Sequence, residues 1–438
     1  MCALLVGCAT ALRADLTSPA VAQTIPAPTL AQGGNATINL YSYINDPNVT
    51  GTAVRMTVKV GTLGTGNIDL ALTDTLTPIT VANFLAYISA GAYGNNIIHR
   101  SDPGGVTPPV PPATVPANPG FVIQGGGYAF VLNGTVVELD AVPTFSPIQN
   151  EVGLSNVRGT IAMAKTSAPN SATSQWFINL SDSNTFLDSP SETSGPFTAF
   201  GKVLGSGMQI ADIVSELQIN NYGGALSQLP LTANVVNNTG NFVLTNMAVV
   251  PAVTYTANSS NVSLVTVSLS GNTLTLIPSA TNTGTANITV TTTDLEGGQL
   301  QTSFNVTVLK SFGNWVAPFN LSVNAALATA NPSGDGVPNL LKFAFGGNPT
   351  LATRAPGLPL AESGGGVEFY QRQLSGLSYE VDESPDLVNW TKIWQTSDGL
   401  SAAVVAMHTS ITGFDVITIR DPAPATLRFW RVRVTQTL

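Results

Sequence analysis

Charge is scarce in this sequence. Of 438 residues only 9% are Asp, Glu, Lys or Arg, against roughly 25% in an average soluble protein. Lys and Arg number 16 against 25 Asp and Glu, a formal net charge of -9. No broad basic surface can be built from so few cations, which argues against nucleic acid as a partner. Cysteine is scarcer: Cys2 and Cys8 are the two there are. If the first segment is removed, the mature protein has no thiol, no disulfide and no Cys-based zinc site. Two histidines, His99 and His408, cannot make a three-His metal site. Any catalysis therefore rests on other groups, and no metal and no cofactor is expected. After the first residues no run approaches the roughly 18 apolar residues of a membrane span. What is abundant is apolar surface (43%), with 41 Gly and 29 Pro set among Thr, Ser and Asn. That mixture reads as a turn-rich, mainly β chain. Its length suggests about three domains.

Residues 1–23 read as a signal-like leader, apolar and small from Met1 to Ala11 but without basic flanking residues before the run. Leu5-Val6-Gly7-Cys8 resembles a lipoprotein box in which Cys8 would be acylated, while Ala20-Val21-Ala22 offers an ordinary cleavage site. Either points to an exported protein of the periplasm, cell surface or exterior. Residues 24–52 read as an extended N-terminal arm. From Val54 the pattern becomes regular. Val54, Met56, Val58 and Val60 alternate with polar residues, predicting a half-buried strand. A second strand over Asn67 to Leu72 would complete a hairpin. Thr77-Pro78 opens a helix with Val81, Phe84, Leu85 and Ile88 on one stripe, ended by Gly91. A second helix is expected around Met208 to Leu217.

One series of motifs is far more specific. His99-Arg100 is followed, after an insert, by Gly120-Phe-Val-Ile-Gln-Gly-Gly126, then Arg158-Gly-Thr-Ile-Ala-Met-Ala164. Asn170-Ser-Ala-Thr-Ser-Gln-Trp-Phe-Ile-Asn179, Phe186-Leu187-Asp188 and Phe200-Gly-Lys-Val203 complete it. In order and content the series resembles the cyclophilins, the peptidyl-prolyl cis–trans isomerases, over residues 53–250. The resemblance implies a closed eight-stranded antiparallel barrel capped by two helices. It implies an enzyme acting on proline-containing polypeptides without a cofactor. Residue by residue, it makes Arg100 the catalytic arginine. It assigns Phe121, Val122, Phe177 and Leu187 to a proline pocket, Gln124 and Gln175 to the substrate backbone, and Ala164 and Asn170 to the groove. Phe186 stands where many relatives carry Trp, and Phe197 where many carry His or Tyr, so a polar rim contact is absent.

The chemistry suits these residue types. An X–Pro bond turns slowly because amide resonance must be broken, against a barrier of roughly 18–20 kcal/mol. No covalent bond changes, so the need is a donor aimed at the prolyl nitrogen, and a guanidinium is always charged and rich in donors. Without the surrounding pattern, Arg100 would be an ordinary surface charge, Phe121 and Phe177 ordinary core, and Gln124-Gly-Gly-Gly127 a simple turn. His99 reads as a packed structural residue. The rival reading is a proline-peptide binding module with little turnover. It is favoured by the Pro-rich insert 106–116, which would either gate the groove or be a solvated excursion.

Beyond residue 250 the texture changes. Residues 251–310 alternate in short stretches (Leu274 and Leu276, Thr285 to Thr291, Phe304 to Val308) and suggest a small immunoglobulin- or cadherin-like sandwich. Asp294 reads either as a turn cap or as half of a calcium site. Residues 311–350 read as a linker with a short helical pattern from Leu340 to Phe345. Within it Asn331-Pro-Ser-Gly-Asp-Gly-Val-Pro-Asn339 resembles an Asp-rich calcium loop, although Asp335 is its one carboxylate. Residues 351–438 read as a C-terminal β-rich module. These C-terminal modules offer a means of attachment to a cell surface or matrix.

Overall fold

The computed structural model describes residues 19–102, 120–133, 136–188, 196–233, 239–362, 365–401, 403–408, 412–421 and 428–437. Cys2, Cys8 and the Pro-rich insert 106–116 lie outside the described residues. The chain divides into two units. One holds Met1–Ala22, Ile44–Thr254 and Thr292–Leu300, the other Gln23–Tyr43, Tyr255–Thr291 and Gln301–Leu438.

The first unit is built on one large antiparallel sheet. Its strands are β1 (Ala53–Val60), β2 (Gly64–Leu72), β3 (Asn96–Ile97), β4 (Arg100–Asp102), β5 (Val122–Gly125) and β6 (Tyr128–Asn133). They continue with β7 (Val136–Ala141), β8 (Thr160–Met163), β9 (Trp176–Asn179), β10 (Ala199–Val203) and β11 (Val243–Val250). Mainly β with few helices is as expected, but a closed eight-stranded barrel is not found. The eleven strands follow one another in the open order β7-β6-β3-β11-β1-β2-β10-β8-β9-β5-β4. Part of the difference lies between Asn96 and Asp102. There the chain breaks at Ile98 and His99 into β3, which pairs with β11 and β6, and β4, which pairs with β5. The β6–β7 hairpin adds a further ladder.

Strand periodicity separates the two faces of this sheet. Ile123, Ile178 and Ile161 face one another across β5, β9 and β8, all buried in the main core with Val54, Met56, Leu70 and Trp176. Two helices cover that core: α1 (Pro78–Ser89) and α2 (Gly207–Ser215). Helix α1 buries Val81, Phe84 and Tyr87. Thr77 makes no side-chain cap, and the first turn is served from a distance. Glu151 accepts the N–H groups of Ile79 and Thr80 at 3.1 and 2.8 Å. A carboxylate there satisfies orphan donors and opposes the positive end of the helix dipole. Helix α2 lies so close to β2 that a Cβ on Gly66 would come within 2.4 Å of the Ile210 side chain.

Two further small sheets follow in the chain, with most of their residues in the second unit and the strand ends 253–254, 292–294 and 299–300 in the first. Val253–Ser259, Gly284–Asp294, Gln299–Leu309 and Thr29–Ala31 form one, and Val265–Ser270, Thr273–Pro278 and Ala36–Asn39 the other. The stretch read as an extended arm thus supplies two strands. Thr29–Ala31 runs parallel to Thr307–Leu309, and Ala36–Asn39 antiparallel to Thr273–Leu276. Such pairing across more than 230 positions leaves no local signal. The immunoglobulin-like reading rests on strand alternation alone.

Residues 311–350 carry the short helix at the place of the Leu340 to Phe345 pattern. The helix Asn339–Phe345 buries Phe343, Ala344 and Phe345 in one core with Val367, Phe369, Tyr379, Val381, Trp394, Ile417 and Ile419. Those residues come from two sheets of the C-terminal module, of four and three strands. The calcium-like loop holds a cation of its own. The Lys342 ammonium is fully buried and 2.7 Å from Asp335, 2.5 Å from Ser333 Oγ and 2.9 Å from the Leu351 carbonyl. That hydrogen bond from Lys342 is the main reason the Asp335 carboxyl is held below its ordinary range.

Candidate active site

The sheet face opposite the main core carries a second row. Arg100 pairs with Gln124, Gln124 with Phe177, and Phe177 with Ala162. Directly paired residues point to the same face, so the three motifs that were far apart in sequence meet side by side. Val122, two positions from Gln124, shares that face. Around it gathers a small apolar cluster of Val122, Ala162, Phe177, Leu187 and Ala199, with Phe121, Leu154, Ala164 and Phe197 at its margin. Phe197 meets Phe177 edge to face at 5.8 Å, and Lys165 stands 4.4 Å from the centre of the Phe197 ring. Phe186 is exposed and stacks on Phe121 at 5.7 Å. Of the anticipated groove residues, Asn170 stands apart. It is exposed, and its side-chain oxygen accepts the Asn150 N–H at 2.9 Å.

Arg100 is held by three acceptors. Its Nε donates to Gln228 Oε1 at 2.9 Å, one terminal nitrogen to Gln124 Oε1 at 3.2 Å, and the other pairs with the Asp102 carboxylate. Gln124 in turn donates to Gln175 Oε1 at 2.7 Å. A guanidinium has five N–H groups. Three are engaged among the described residues, and two remain on a side chain that is 33% exposed. Beside it His99 is buried, edge-on to Tyr128 at 5.3 Å. Desolvation lowers its pKa to about 4, aided by the Arg100 charge and opposed by Gln175. It is a neutral packing residue.

The glycines after Gln124 are required by contact rather than by a simple turn. A Cβ on Gly125 would lie 2.5 Å from the Trp176 ring, and one on Gly127 3.0 Å from His99. Gly126 has φ +77°, and a Cβ there would lie 2.5 Å from Ser174 O.

Several positioning residues carried no recognised signal. Asp102 and Gln228 complete the hold on Arg100. Below the apolar cluster, Asn184 donates to the Phe121 carbonyl at 2.8 Å and to Asn179 at 2.8 Å. Asn179 donates to Asn156 at 3.0 Å, and Asn156 to the Phe197 carbonyl at 2.9 Å and Asp188 at 2.7 Å. This buried amide chain fixes the backbones that carry Phe121 and Phe197. Buried polar groups satisfied in this way are stiff.

A family model described as cyclophilin type peptidyl-prolyl cis-trans isomerase/CLD matches residues 55–238. Peptidyl-prolyl cis-trans isomerase A of Dickeya dadantii (strain 3937) is 40% identical over 164 residues, 37% of this chain and 73% of that protein. Peptidyl-prolyl cis-trans isomerase B of Escherichia coli (strain K12) is 38% identical over 151 residues, 34% and 77% of the two chains. A solved cyclophilin type peptidyl-prolyl cis-trans isomerase from Cryptosporidium parvum covers 45% of this chain and 96% of its own at 20% identity, with a TM-score of 0.29.

Proposed function

The chain belongs to the family of cyclophilin-type peptidyl-prolyl cis–trans isomerases, and we propose that Arg100 is the group that speeds the rotation. The supporting observation is that two of its N–H groups are unengaged among the described residues, while the other three hold it on the sheet face that carries the apolar cluster of Val122, Ala162 and Phe177. As an X–Pro bond twists, its nitrogen becomes pyramidal and gains a lone pair. A guanidinium N–H donated to that nitrogen removes the lone pair from resonance and stabilises the twisted state. Phe121, Val122, Phe177 and Leu187 hold the ring while the rest of the peptide turns, with Phe186, Phe197 and Ala164 as the walls and Gln124 and Gln175 on the substrate backbone. Lowering the barrier by ~7 kcal/mol gives about 10⁵-fold acceleration. No step needs a nucleophile.

The test is exchange NMR on a short X–Pro peptide with the full chain and its Arg100→Ala variant. The expected result is a roughly 10²–10³-fold loss, the range seen when one preorganised donor is removed. Unchanged exchange would take Arg100 out of the mechanism.

The substrates in this reading are polypeptides folding or held outside the cytoplasm. The leader-like residues 1–23 and the low-charge, cysteine-poor body support that setting. The second unit would serve as the attachment part. Fractionation of cells producing the full chain tests both, since recovery in the cytosol alone would reject them.

A further inference from the structure

Away from the groove, the first unit gathers three carboxylates, of which Asp46 and Asp294 are buried and Glu296 is half-buried. Asp46 follows the strand Ile44–Asn45, and Asp294 ends the strand Gly284–Asp294. Glu296 lies two residues further on and is tied in by Asn48, whose amide donates to it at 3.0 Å, and by the Gly205 N–H at 2.8 Å. Each aspartate uses one oxygen to close its own turn. Asp46 Oδ1 accepts the Asn48 N–H at 2.8 Å. Asp294 Oδ1 accepts those of Glu296 and Gly298 at 2.9 and 2.7 Å. The second oxygen of each, Asp46 Oδ2 and Asp294 Oδ2, is buried with no hydrogen-bond partner among the described residues. Asp46 is 2% exposed and Asp294 7%. Among the described residues none of the three carboxylates is salt-bridged to Lys, Arg or His.

Buried carboxylates without partners are strongly unfavourable unless protonated, paired or bound to a metal. Both Asp46 and Glu296 are pushed up, first by burial and further by the neighbouring negative charges, including Asp294. The environment is therefore short of one positive charge. We propose that Asp46 and Asp294 anchor a Ca²⁺ ion through their two unpartnered oxygens. Calcium accepts oxygen ligands in loose geometry and tolerates a shell completed by backbone carbonyls and water. Among the described residues no three acidic, His or Cys side chains form a preformed metal cluster. The site is thus a weak one, in the range of extracellular modules, with Kd on the order of 10⁻⁴–10⁻³ M. Asp294 is then both the turn cap and the calcium ligand that the sequence left as alternatives.

Calcium titration of the full chain by calorimetry and by thermal melting after EDTA treatment tests this, alongside Asp46→Asn and Asp294→Asn. Asn keeps the Oδ1 acceptor of each turn, so both variants retain their caps. The expected result is saturable binding of one Ca²⁺ in the parent. At ten times Kd the folded-to-unfolded ratio should rise about tenfold. In either variant the binding weakens at least tenfold, while melting in EDTA is unchanged or raised because a buried charge is gone. No calcium response in the parent at about 10 mM, or an equal response in the variants, would overturn the proposal. So would variants that melt lower in EDTA, since that would assign the aspartates a purely structural task.

Discussion

Arg100 and Lys342 are both cations held by three oxygen acceptors, and they do opposite things. The Lys342 ammonium is fully buried, and its three N–H groups match three oxygens, from Asp335, Ser333 and Leu351. Nothing is left to offer, and the group ties a loop to a helix. Arg100 is held at three points as well, by Gln228, Gln124 and Asp102, but its fork has five donors and is partly open to solvent. The surplus distinguishes a functional cation from a structural one. A side chain fixed by some of its donors presents the remainder in a defined direction without further ordering.

Exchanging the two losses breaks the comparison most directly. Arg100→Ala, with its 10²–10³-fold fall in exchange rate, should leave the melting temperature within about 2 °C, because a half-exposed ion pair contributes little. Lys342→Met should do the reverse. Methionine fills the buried stem but returns no donor, and three gathered oxygens lose their partner at once. A fall of about 10 °C in melting temperature is expected, with peptide exchange at 10 °C unaltered. Calorimetry and exchange NMR on the same two variants decide it. Loss of both properties in either variant would erase the distinction.

The two cations also differ in how far the sequence announced them. Arg100, Gln124 and Phe177 were legible because each lies in a short motif, and strand periodicity sets them on one face once β4, β5 and β9 pair. Phe121, Val122 and Leu187 followed for the same reason. Gln228 was not legible, since it reaches Arg100 across 128 positions, and neither was Asp102, whose neighbours in sequence lead into an insert. The Asn156–Asn179–Asn184 chain was hidden in another way. Asn179 reads locally as the head of an Asn-x-Ser triplet, whereas it is fully buried and bonded on its amide and its oxygen. Lys342 carries no local signal, because a lysine at helical spacing reads as solvent-facing. Only the convergence of a loop, a helix and the Leu351 carbonyl makes it a buried cation. The open eleven-strand order had no local signal either, because the break at Ile98 and His99 depends on which strand each half meets.

His99 sharpens the contrast from the other side, as a buried base that stays neutral next to a cation. Its folded pKa lies at about 4 against an ordinary 6.5. The unfolded chain therefore binds the proton first. The stability that His99 contributes is complete above pH 6.5 and is lost progressively as the pH falls through 4. A displacement of that size corresponds to about 3 kcal/mol. Chemical denaturation of the parent should show this decline between pH 6.5 and 4. His99→Gln, which cannot charge, should show a flatter profile over the same interval. A parallel decline in both would place the pH dependence elsewhere.

The smallest effect is expected at Asp102. Asparagine in its place keeps an acceptor oxygen near Arg100 and removes only the charge. Gln228 and Gln124 continue to hold Nε and one terminal nitrogen, so the fork stays oriented at two of its three points. A charge-assisted hydrogen bond is roughly twice as strong as a neutral one. The loosening should therefore lower kcat about threefold with KM unchanged, since the apolar cluster that seats the proline is untouched. Asp102→Ala should lower it further, because the third point is then gone. If both variants equal the parent, two acceptors suffice to aim the donors. Arg100 then tolerates a missing partner where Lys342, with no donor to spare, does not.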